Sequence, residues 1–279
     1  STYDPQSELS LFNAQQGTDW VPASAALVAV VSEAQRISTL TDGAFDVTAG
    51  PLVDLWGFGP ERGNGSVPDT AAIESVRERV GYTQLEVRAE APALRKTRGD
   101  LAVDLSAIAK GYGVDRVAGR LERLGVDAYL VEIGGELRTR GRRPDGRAWQ
   151  VGIERPDSDG RAVRQVLPLA GGALATSGDY RNYFSEAGRR YGHIIDPRSG
   201  SAVQHELASV TVLADDCMSA DGWATALSVL GPEAGMTLAG ELGLAALFVL
   251  RDGDTLRDLA SPAFGDAFPS ATEEGAKRP

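Results

Sequence analysis

The spacing of apolar residues predicts a first long helix over residues 23–40. Within this segment, apolar side chains recur every three to four positions, at Leu27, Val30, Val31, Ala34 and Ile37. This period places them on one face of an α-helix, as in amphipathic helices that pack against a core. The Asp42-Gly43 pair that follows is a turn signal and ends the helix.

The same spacing predicts further helices along the chain. Residues 69–80 form a short helix, and residues 101–125 form a short strand that runs into a long helix ending at Gly125. Near the C-terminus, residues 218–230 and 232–241 form two helices. The second begins with Pro232 near its first turn, where a missing N–H breaks no hydrogen bond.

Segments rich in β-branched residues between glycines and prolines predict strands. They include two hairpins, over LEVRAE with ALRKTRG and over YRNYF with RRYGHIIDPRSG. The other predicted strand segments are DAYLVEIGGELRTRG, AWQVGIERP, RAVRQVLPLAGGALATSG, SVTVLADD and LAALFVLRDGD, the last running into a turn. Since helices and strands do not alternate regularly, we expect an α+β fold with mixed or antiparallel sheets flanked by helices. We expect one domain over 1–262 and a loose tail over 263–279.

The amino-acid composition and net charge exclude several classes of function. The 279 residues are 42% hydrophobic and 24% charged, which is typical of a globular protein with a substantial core. Acids outnumber bases 39 to 28, and a net charge of −11 argues against a surface for nucleic acid. The single cysteine, Cys217, excludes an intrachain disulfide and every multi-cysteine zinc site, and we expect it to be buried. No apolar run is long enough to span a membrane, so we expect membrane association only through an anchor preceding Ser1.

Several common catalytic motifs are absent. There is no P-loop, and Gly57-Phe-Gly59 precedes a proline and a loop rather than a helix. With two histidines, a three-histidine metal site is impossible, and His205-Glu206 lacks the second histidine of a zinc-protease motif. No GxSxG is present, and Thr176-Ser177-Gly178 is the nearest candidate for a nucleophilic serine.

Isolated acids in segments of small residues are the remaining candidates for chemistry. They are Asp46, Asp104, Glu132, Glu136, Asp196 and Asp221. Each has a structural interpretation on its own: Asp104 could cap the following helix, Asp221 could be a surface acid, and the IGG segment could be a tight bend in a sheet.

Asp221 and Thr225 are four residues apart, so they lie on the same face of the predicted helix. A carboxylate and a hydroxyl supply two hard oxygen ligands, which suit Mg²⁺ better than zinc. An acidic protein that binds a pyrophosphate has a use for such a metal. Lys110, near the start of the helix after Asp104, would add positive charge, and the helix N-terminus would add backbone N–H groups.

Seven segments in this order closely resemble the ApbE family of flavin transferases. They are STYDPQSELSLFN, DGAFDVTAGPLVDLWGFGP, VDLSAIAKGYGVD, YLVEIGGELRTRG, ALATSGDYRNYF, HIIDPRSG and SVTVLADDCMSADGWATALSVLG. The likeness extends over residues 1–250. It implies an ApbE-like, T-fold-related architecture and a Mg²⁺-dependent enzyme. Such an enzyme transfers the FMN half of FAD to a threonine or serine hydroxyl of a target flavoprotein, a post-translational flavinylation, and releases AMP.

The resemblance also implies site residues. The metal would be held by Asp221, Thr225 and a backbone oxygen of Ala107. FAD would be contacted by residues of four motifs, namely Tyr3, Ala44, Phe45, Asp46, Asp104, Lys110 and Ile195. On this interpretation Asp104 is a ligand contact rather than a helix cap, and Trp223 faces the core.

Two catalytic roles are expected. Asp221 acts through the metal, and His193 is the candidate base for the acceptor hydroxyl, because its unperturbed pKa of about 6.5 permits proton transfer near neutrality. An equally weighted alternative is that His193 stacks on or hydrogen-bonds to the ligand loop. We expect His205 to be an ordinary surface residue.

Other expectations concern partners and location. Family members usually carry a strand and a helix before the STYDP segment, so FAD binding by this chain depends on whether that piece exists. The acceptor protein is expected to carry a D-x-x-[ST]-G-A-[ST] motif, which this chain lacks, so self-flavinylation is not predicted. The resemblance favours the bacterial cell envelope, with the cytoplasm as the alternative. Rival functions are a Mg²⁺-dependent FAD pyrophosphatase that gives FMN and AMP, and a non-catalytic FAD-binding protein.

Overall fold

The computed structural model describes residues 2–59, 65–156, 162–180 and 182–269. Over these residues the helices are α1 (Glu8–Ala14), α2 (Ala25–Leu40), α3 (Gly50–Leu55), α4 (Thr70–Arg77), α5 (Ala109–Arg123), α6 (Cys217–Leu242) and α7 (Pro262–Ala267). The first eight strands are β1 (Val21–Pro22), β2 (Leu85–Arg88), β3 (Ala93–Lys96), β4 (Tyr129–Ile133), β5 (Glu136–Arg140), β6 (Trp149–Glu154), β7 (Val163–Leu169) and β8 (Gly171–Gly178). The remaining strands are β9 (Tyr183–Glu186), β10 (Arg189–Gly192), β11 (Ile195–Asp196), β12 (Ser201–Ala202), β13 (Leu207–Ala214), β14 (Ala245–Asp252) and β15 (Thr255–Ala260).

The chain forms two compact units, and each consists of two separate segments. The first unit comprises the described parts of Ser1–Ala107 and Asn182–Gln204, and the second those of Ile108–Arg181 and His205–Pro279. Residues 1–262, expected to form one domain, contribute to both. All strand pairs among the described residues are antiparallel, which confirms the α+β prediction.

In the first unit, α2 confirms the predicted first helix. Ser24 caps it by accepting a hydrogen bond from the Leu27 N–H at 3.1 Å, and the apolar stripe is buried. A three-stranded sheet has the order β1-β3-β2, and the predicted hairpins are β2 with β3 and β9 with β10.

A second part of the first unit packs around aromatic side chains. Leu52 and Trp56, at the end of α3, are buried with Ile195, and the Trp56 indole donates a hydrogen bond to the Gly200 carbonyl at 2.9 Å. The rings of Phe184 and Tyr191 stack against each other beside this core. The short helix α3 lies in a segment with several glycines and prolines, and Pro51 at its start helps to fix it.

The second unit has a six-stranded antiparallel sheet in the order β15-β14-β13-β8-β5-β4. Helix α6 packs against β8 and β13, and α5 packs against α6. Inside α6, Gly231 has φ 76° and ψ −177°, so α6 consists of two helices joined at a kink, with Pro232 at the start of the second. Two helices with Pro232 at this position were predicted. No helix in the described ranges has both the length and the apolar character needed to cross a membrane.

Three sequence expectations need correction. Residues 101–105 are not a strand, because the Val103 N–H and carbonyl bond instead to the side chain of Asn13. The segment ending near Asp252 is not the last strand, because another strand, β15, follows the turn and pairs with β14. The loose tail does not begin at 263: α7 is capped by Ser261 and buries Phe264, while residues 270–279 lie outside the described residues.

Candidate functional site

The N-terminal half of α6 carries Asp221 into a tight contact with α5. Asp221 is only 4% exposed, and its Oδ2 accepts a hydrogen bond from the Gly111 N–H at 3.0 Å. The first four N–H groups of a helix have no hydrogen-bond partner within it, and the Gly111 N–H is one of those of α5. Asp221, which lies on α6, therefore caps the N-terminus of α5. A Cβ on Gly111 would lie 2.2 Å from the Cys217 carbonyl oxygen. Only glycine allows this approach of the two helices.

Lys110 lies between Asp221 and a second buried carboxylate, Glu136 at the start of β5. Its Nζ donates to Glu136 Oε1 at 2.6 Å and lies 3.5 Å from Asp221 Oδ1. The carboxylates are buried, but the Lys110 side chain is 45% exposed. Glu136 Oε2 is buried and has no hydrogen-bond partner among the residues that the structure describes.

The electrostatics of this cluster follow from burial and charge. Burial raises the pKa of Asp221, against the opposing effects of Lys110 and the Gly111 N–H. Burial also raises the pKa of Glu136, opposed by Lys110. Burial lowers the pKa of Lys110, but the charges of Asp221 and Glu136 outweigh it, and the net shift is upward. The three groups therefore form one electrostatically coupled cluster, in which the lysine opposes the effect of burial on both acids.

The donor set is compatible with Mg²⁺. Thr225 is one turn after Asp221 on the same face of α6 and is half-buried, so a carboxylate and a hydroxyl oxygen are available together. Mg²⁺ commonly uses one or two carboxylates and completes its shell with water and substrate oxygens. No cluster of three or more His, Cys, Asp or Glu side chains suited to a metal exists within the described ranges. The residues thus fit an open Mg²⁺ site but not a closed protein-only cage.

Asp115, which is not among the candidates predicted from the sequence, fixes the start of α6. Its carboxylate accepts hydrogen bonds from the N–H groups of Cys217 at 3.0 Å and Met218 at 2.8 Å, and it pairs with Arg138 at 2.8 Å. A signal was present, because Asp115 is four residues after Gly111 and so lies on the buried face of α5. An acid on the apolar face of a helix needs a partner, and here the partner is the next helix.

In the first unit, Asp46 holds a loop together. Oδ1 accepts hydrogen bonds from the Thr48 N–H and hydroxyl, both at 2.7 Å, and Oδ2 accepts one from the Tyr82 N–H at 2.7 Å. Burial raises the pKa of Asp46, although these bonds oppose the shift. The neighbouring Ala44 and Phe45 are buried, so their side chains offer little surface to a ligand.

Asp104 lies beside this loop. Its N–H donates to the Val47 carbonyl at 2.7 Å, and its Oδ1 accepts from the N–H and hydroxyl of Ser106 at 2.9 and 2.5 Å. The possible role as a helix cap is excluded, because α5 begins at Ala109 with Ile108 at its cap position.

The other candidates of the first unit differ widely in exposure. Tyr3 is 76% exposed, Ile195 is buried in the Trp56 core, and Ala107 is half-buried. His193 is half-buried, with Nδ1 3.3 Å from the Asn182 carbonyl and its ring edge-on to Phe58. If Nδ1 carries the proton and donates to that carbonyl, Nε2 holds the lone pair, as a base requires.

The structure confirms two predictions about residues of the second unit and corrects a third. Cys217 and Trp223 are buried, as predicted. His205 is not an ordinary surface residue: its Nε2 lies 3.0 Å from the Ser228 carbonyl, and Nδ1 is buried. The ring packs against Gly231, where a Cβ would meet it at 2.8 Å. His205 therefore closes the end of the half of α6 that carries Asp221.

Comparisons with known proteins find one consistent set of relatives. The ApbE family model matches residues 1–248. A relative from Vibrio cholerae serotype O1, named FAD:protein FMN transferase, is 45% identical over 264 residues, 95% of this chain and 78% of the relative. A relative of the same name from Escherichia coli K12 is 40% identical over 266 residues, 95% of this chain and 76% of the relative.

Solved structures agree with these matches. The flavin transferase ApbE from Vibrio cholerae has a TM-score of 0.87 at 43% identity, covering 95% of this chain and 84% of that one. The apo form of the flavinyl transferase ApbE from Pseudomonas stutzeri has a TM-score of 0.88 at 42% identity, covering 97% of this chain and 83% of that one.

Proposed function

Because the chain belongs to the ApbE family, we propose that it is a Mg²⁺-dependent FAD:protein FMN transferase that modifies a threonine or serine hydroxyl and releases AMP. The observation that best supports this proposal is the buried Asp221 carboxylate, with Thr225 one turn away and the Lys110 ammonium 3.5 Å from it. This group of hard oxygens and one cation suits a pyrophosphate substrate on an otherwise acidic protein.

The reaction breaks one bond of the FAD pyrophosphate and forms one bond to the acceptor. The acceptor hydroxyl oxygen attacks the phosphorus attached to the FMN part, and the bond from that phosphorus to the bridging oxygen breaks. The leaving group is AMP, which takes the bridging oxygen. The hydroxyl proton passes to a base, and positioning and charge stabilisation carry most of the rate enhancement in phosphoryl transfer.

Asp221, Thr225 and the carbonyl oxygen of Ala107 would hold Mg²⁺. When bound, the ion supplies positive charge that neutralises pyrophosphate oxygens. Lys110 adds a fixed positive charge, and its exposure allows it to contact substrate while its Nζ remains against Glu136. Asp115 and His205 keep the first half of α6, and therefore Asp221, in place from its two ends.

His193 is the proposed base for the acceptor hydroxyl. The Nδ1 contact with the Asn182 carbonyl favours the tautomer with its lone pair on Nε2, and a general base of this kind contributes roughly 10²-fold or more.

Residues of the first unit would contact FAD. Tyr3 has a large exposed aromatic surface on which a ring can stack, and Asp104 is half-buried beside the Asp46 loop. Asp46, Ala44, Phe45 and Ile195 would act by holding the shape of their segments, since their side chains are mostly buried. The acceptor would be a flavoprotein with a D-x-x-[ST]-G-A-[ST] motif.

The test is to incubate the protein with FAD, Mg²⁺ and a domain bearing that acceptor motif, and to measure the intact mass of the domain. A gain of one FMN on the domain, lost when its acceptor threonine is changed to valine, supports the transferase. AMP and free FMN without an adduct would instead indicate an FAD pyrophosphatase, and intact FAD would indicate a binding protein.

Asp221→Asn provides a further test in the same assay. The amide oxygen can still accept the Gly111 hydrogen bond, so the fold is retained, but the negative charge is lost. We expect Mg²⁺-dependent turnover to fall at least 100-fold, and a variant with full activity would contradict the assignment.

A further inference from the structure

Lys110 has two anionic neighbours at unequal distances. Its Nζ is 2.6 Å from Glu136 Oε1, within charge-assisted hydrogen-bond range, but 3.5 Å from Asp221 Oδ1, at the outer limit. The ammonium therefore forms its strong hydrogen bond with Glu136, and Asp221 Oδ1 has only a weak contact with it.

The hairpin turn before Glu136 places this residue next to Lys110. Strands β4 and β5 are joined by Gly134 and Gly135, whose φ angles of 66° and 109° suit a two-residue hairpin turn. A Cβ on Gly134 would lie 3.4 Å from Glu136 Oε2 and 3.6 Å from Lys110 Cδ. The turn thus lies next to the lysine side chain and places the Glu136 carboxylate beside it, even though burial of Glu136 leaves Oε2 without a partner among the described residues.

We propose that Glu136 is a positioning residue that holds the Lys110 ammonium away from Asp221 and so leaves Asp221 available to a divalent cation. The inference rests on the proposed function, in which Asp221 is a metal ligand.

The physical reason is competition for one carboxylate. Two opposite charges in a partly buried site attract each other strongly, and the attraction grows as they approach. Without the Glu136 charge, the nearest anion to Lys110 is Asp221, so the ammonium moves onto it. A lysine paired with Asp221 occupies the position of the cation and neutralises its ligand. Loss of the Glu136 charge also makes the cluster less negative, and both effects weaken binding of a divalent cation.

The experiment measures Mg²⁺ binding by isothermal titration calorimetry, without FAD or acceptor, so that the readout is independent of turnover. Glu136→Gln should weaken binding about tenfold or more relative to wild type. The double variant Glu136→Gln with Lys110→Met should recover most of the affinity, because the competing ammonium is gone. Glu132→Gln is the matched control: Glu132 lies in the same hairpin, is exposed and accepts a hydrogen bond from the Gly135 N–H, so affinity should not change.

The outcomes separate the inference from the function on which it rests. If wild type binds Mg²⁺ and Glu136→Gln binds equally well, the inference is wrong while the metal site stands. If Glu136→Gln is weak and the double variant remains equally weak, Glu136 does not act through Lys110, and the inference is again wrong. If wild type itself does not bind Mg²⁺, the metal part of the proposed function fails first. Urea unfolding of each variant confirms that a loss of affinity is not a loss of folding.

Discussion

Gly111→Ala tests the close contact between helices α5 and α6 in the second unit. In the middle of an ordinary helix, replacing glycine by alanine stabilises the fold by about 1 kcal/mol, because alanine has the higher helix propensity. At Gly111 the added methyl group would lie 2.2 Å from the Cys217 carbonyl oxygen and 2.9 Å from the Asp221 Cβ. Helix α5 must therefore move away from α6.

The size of the effect follows from these distances. Ordinary van der Waals contact begins near 3.4 Å, so the methyl group is about 1.2 Å too close to a backbone carbonyl that cannot rotate away. Overpacking of this kind costs about 1–3 kcal/mol, and we expect the upper end because the obstacle is backbone. After subtraction of the propensity gain, the net loss is about 2 kcal/mol, or roughly 3–4 °C in Tm for a chain of this size.

Urea unfolding followed by circular dichroism measures the change, with Gly119→Ala as the control. Gly119 is in the same helix, but a Cβ there would meet only the Arg123 Nη1 at 4.0 Å, so this variant should gain about 0.5–1 kcal/mol. Gly111→Ala should also bind Mg²⁺ more weakly, because Asp221 is displaced. If Gly111→Ala proves as stable as Gly119→Ala, the tight α5 to α6 contact described above is incorrect.

Three other predictions concern the caps and the buried groups. In Asp115→Asn, the new amide NH₂ group faces a helix N–H or the Arg138 guanidinium, which are also donors. The free energy of unfolding should therefore fall by about 1–3 kcal/mol. Asp127→Asn is the control, because Asp127 is exposed, and it should change the free energy by less than about 0.5 kcal/mol. Burial lowers the pKa of Lys96 from its ordinary 10.5. Between the lowered pKa and 10.5, Lys96 is neutral in the folded state and protonated in the unfolded state, so unfolding takes up a proton. The free energy of unfolding therefore rises with pH across that window. Lys96→Met should abolish this rise, and urea midpoints measured every half pH unit for both proteins will show whether the slopes differ. Burial raises the pKa of the Cys217 thiol and closes it to solvent, so a thiol reagent should label it only at the rate of unfolding; rapid labelling under native conditions would contradict this.

Much of the fold could be predicted because its signals are local. The apolar spacing in α2, the break at Gly231 and the hairpins around β2, β3, β9 and β10 depend on residues close together in sequence. The Asp221 and Thr225 pair was also found from a local rule, the four-residue spacing on one helix face. The family assignment was predicted from seven motifs in order and is confirmed.

What could not be predicted depends on contacts between distant segments. Residues 101–105 have the composition of a strand, but Asn13, about 90 positions earlier, takes the hydrogen bonds of Val103. Glu136 was noticed only as an isolated acid, because the sequence does not show that Lys110, 26 positions earlier, lies against it. The sequence predicts a surface position for His205, because nothing near it in sequence reveals that its ring packs against Gly231.

The cap that Asp115 provides for α6 has a consequence for how the second unit folds. This carboxylate stands 102 residues before Cys217, so the contact closes a long stretch of chain whose described residues include ten strands, β4 to β13. Closing such a stretch costs conformational entropy before any bond is gained, and contacts of high sequence separation tend to form late. We therefore expect Asp115→Asn to accelerate unfolding while leaving the refolding rate nearly unchanged, a low φ-value that stopped-flow kinetics would report. In the second unit, the start of α6 would then be among the last parts to become fixed.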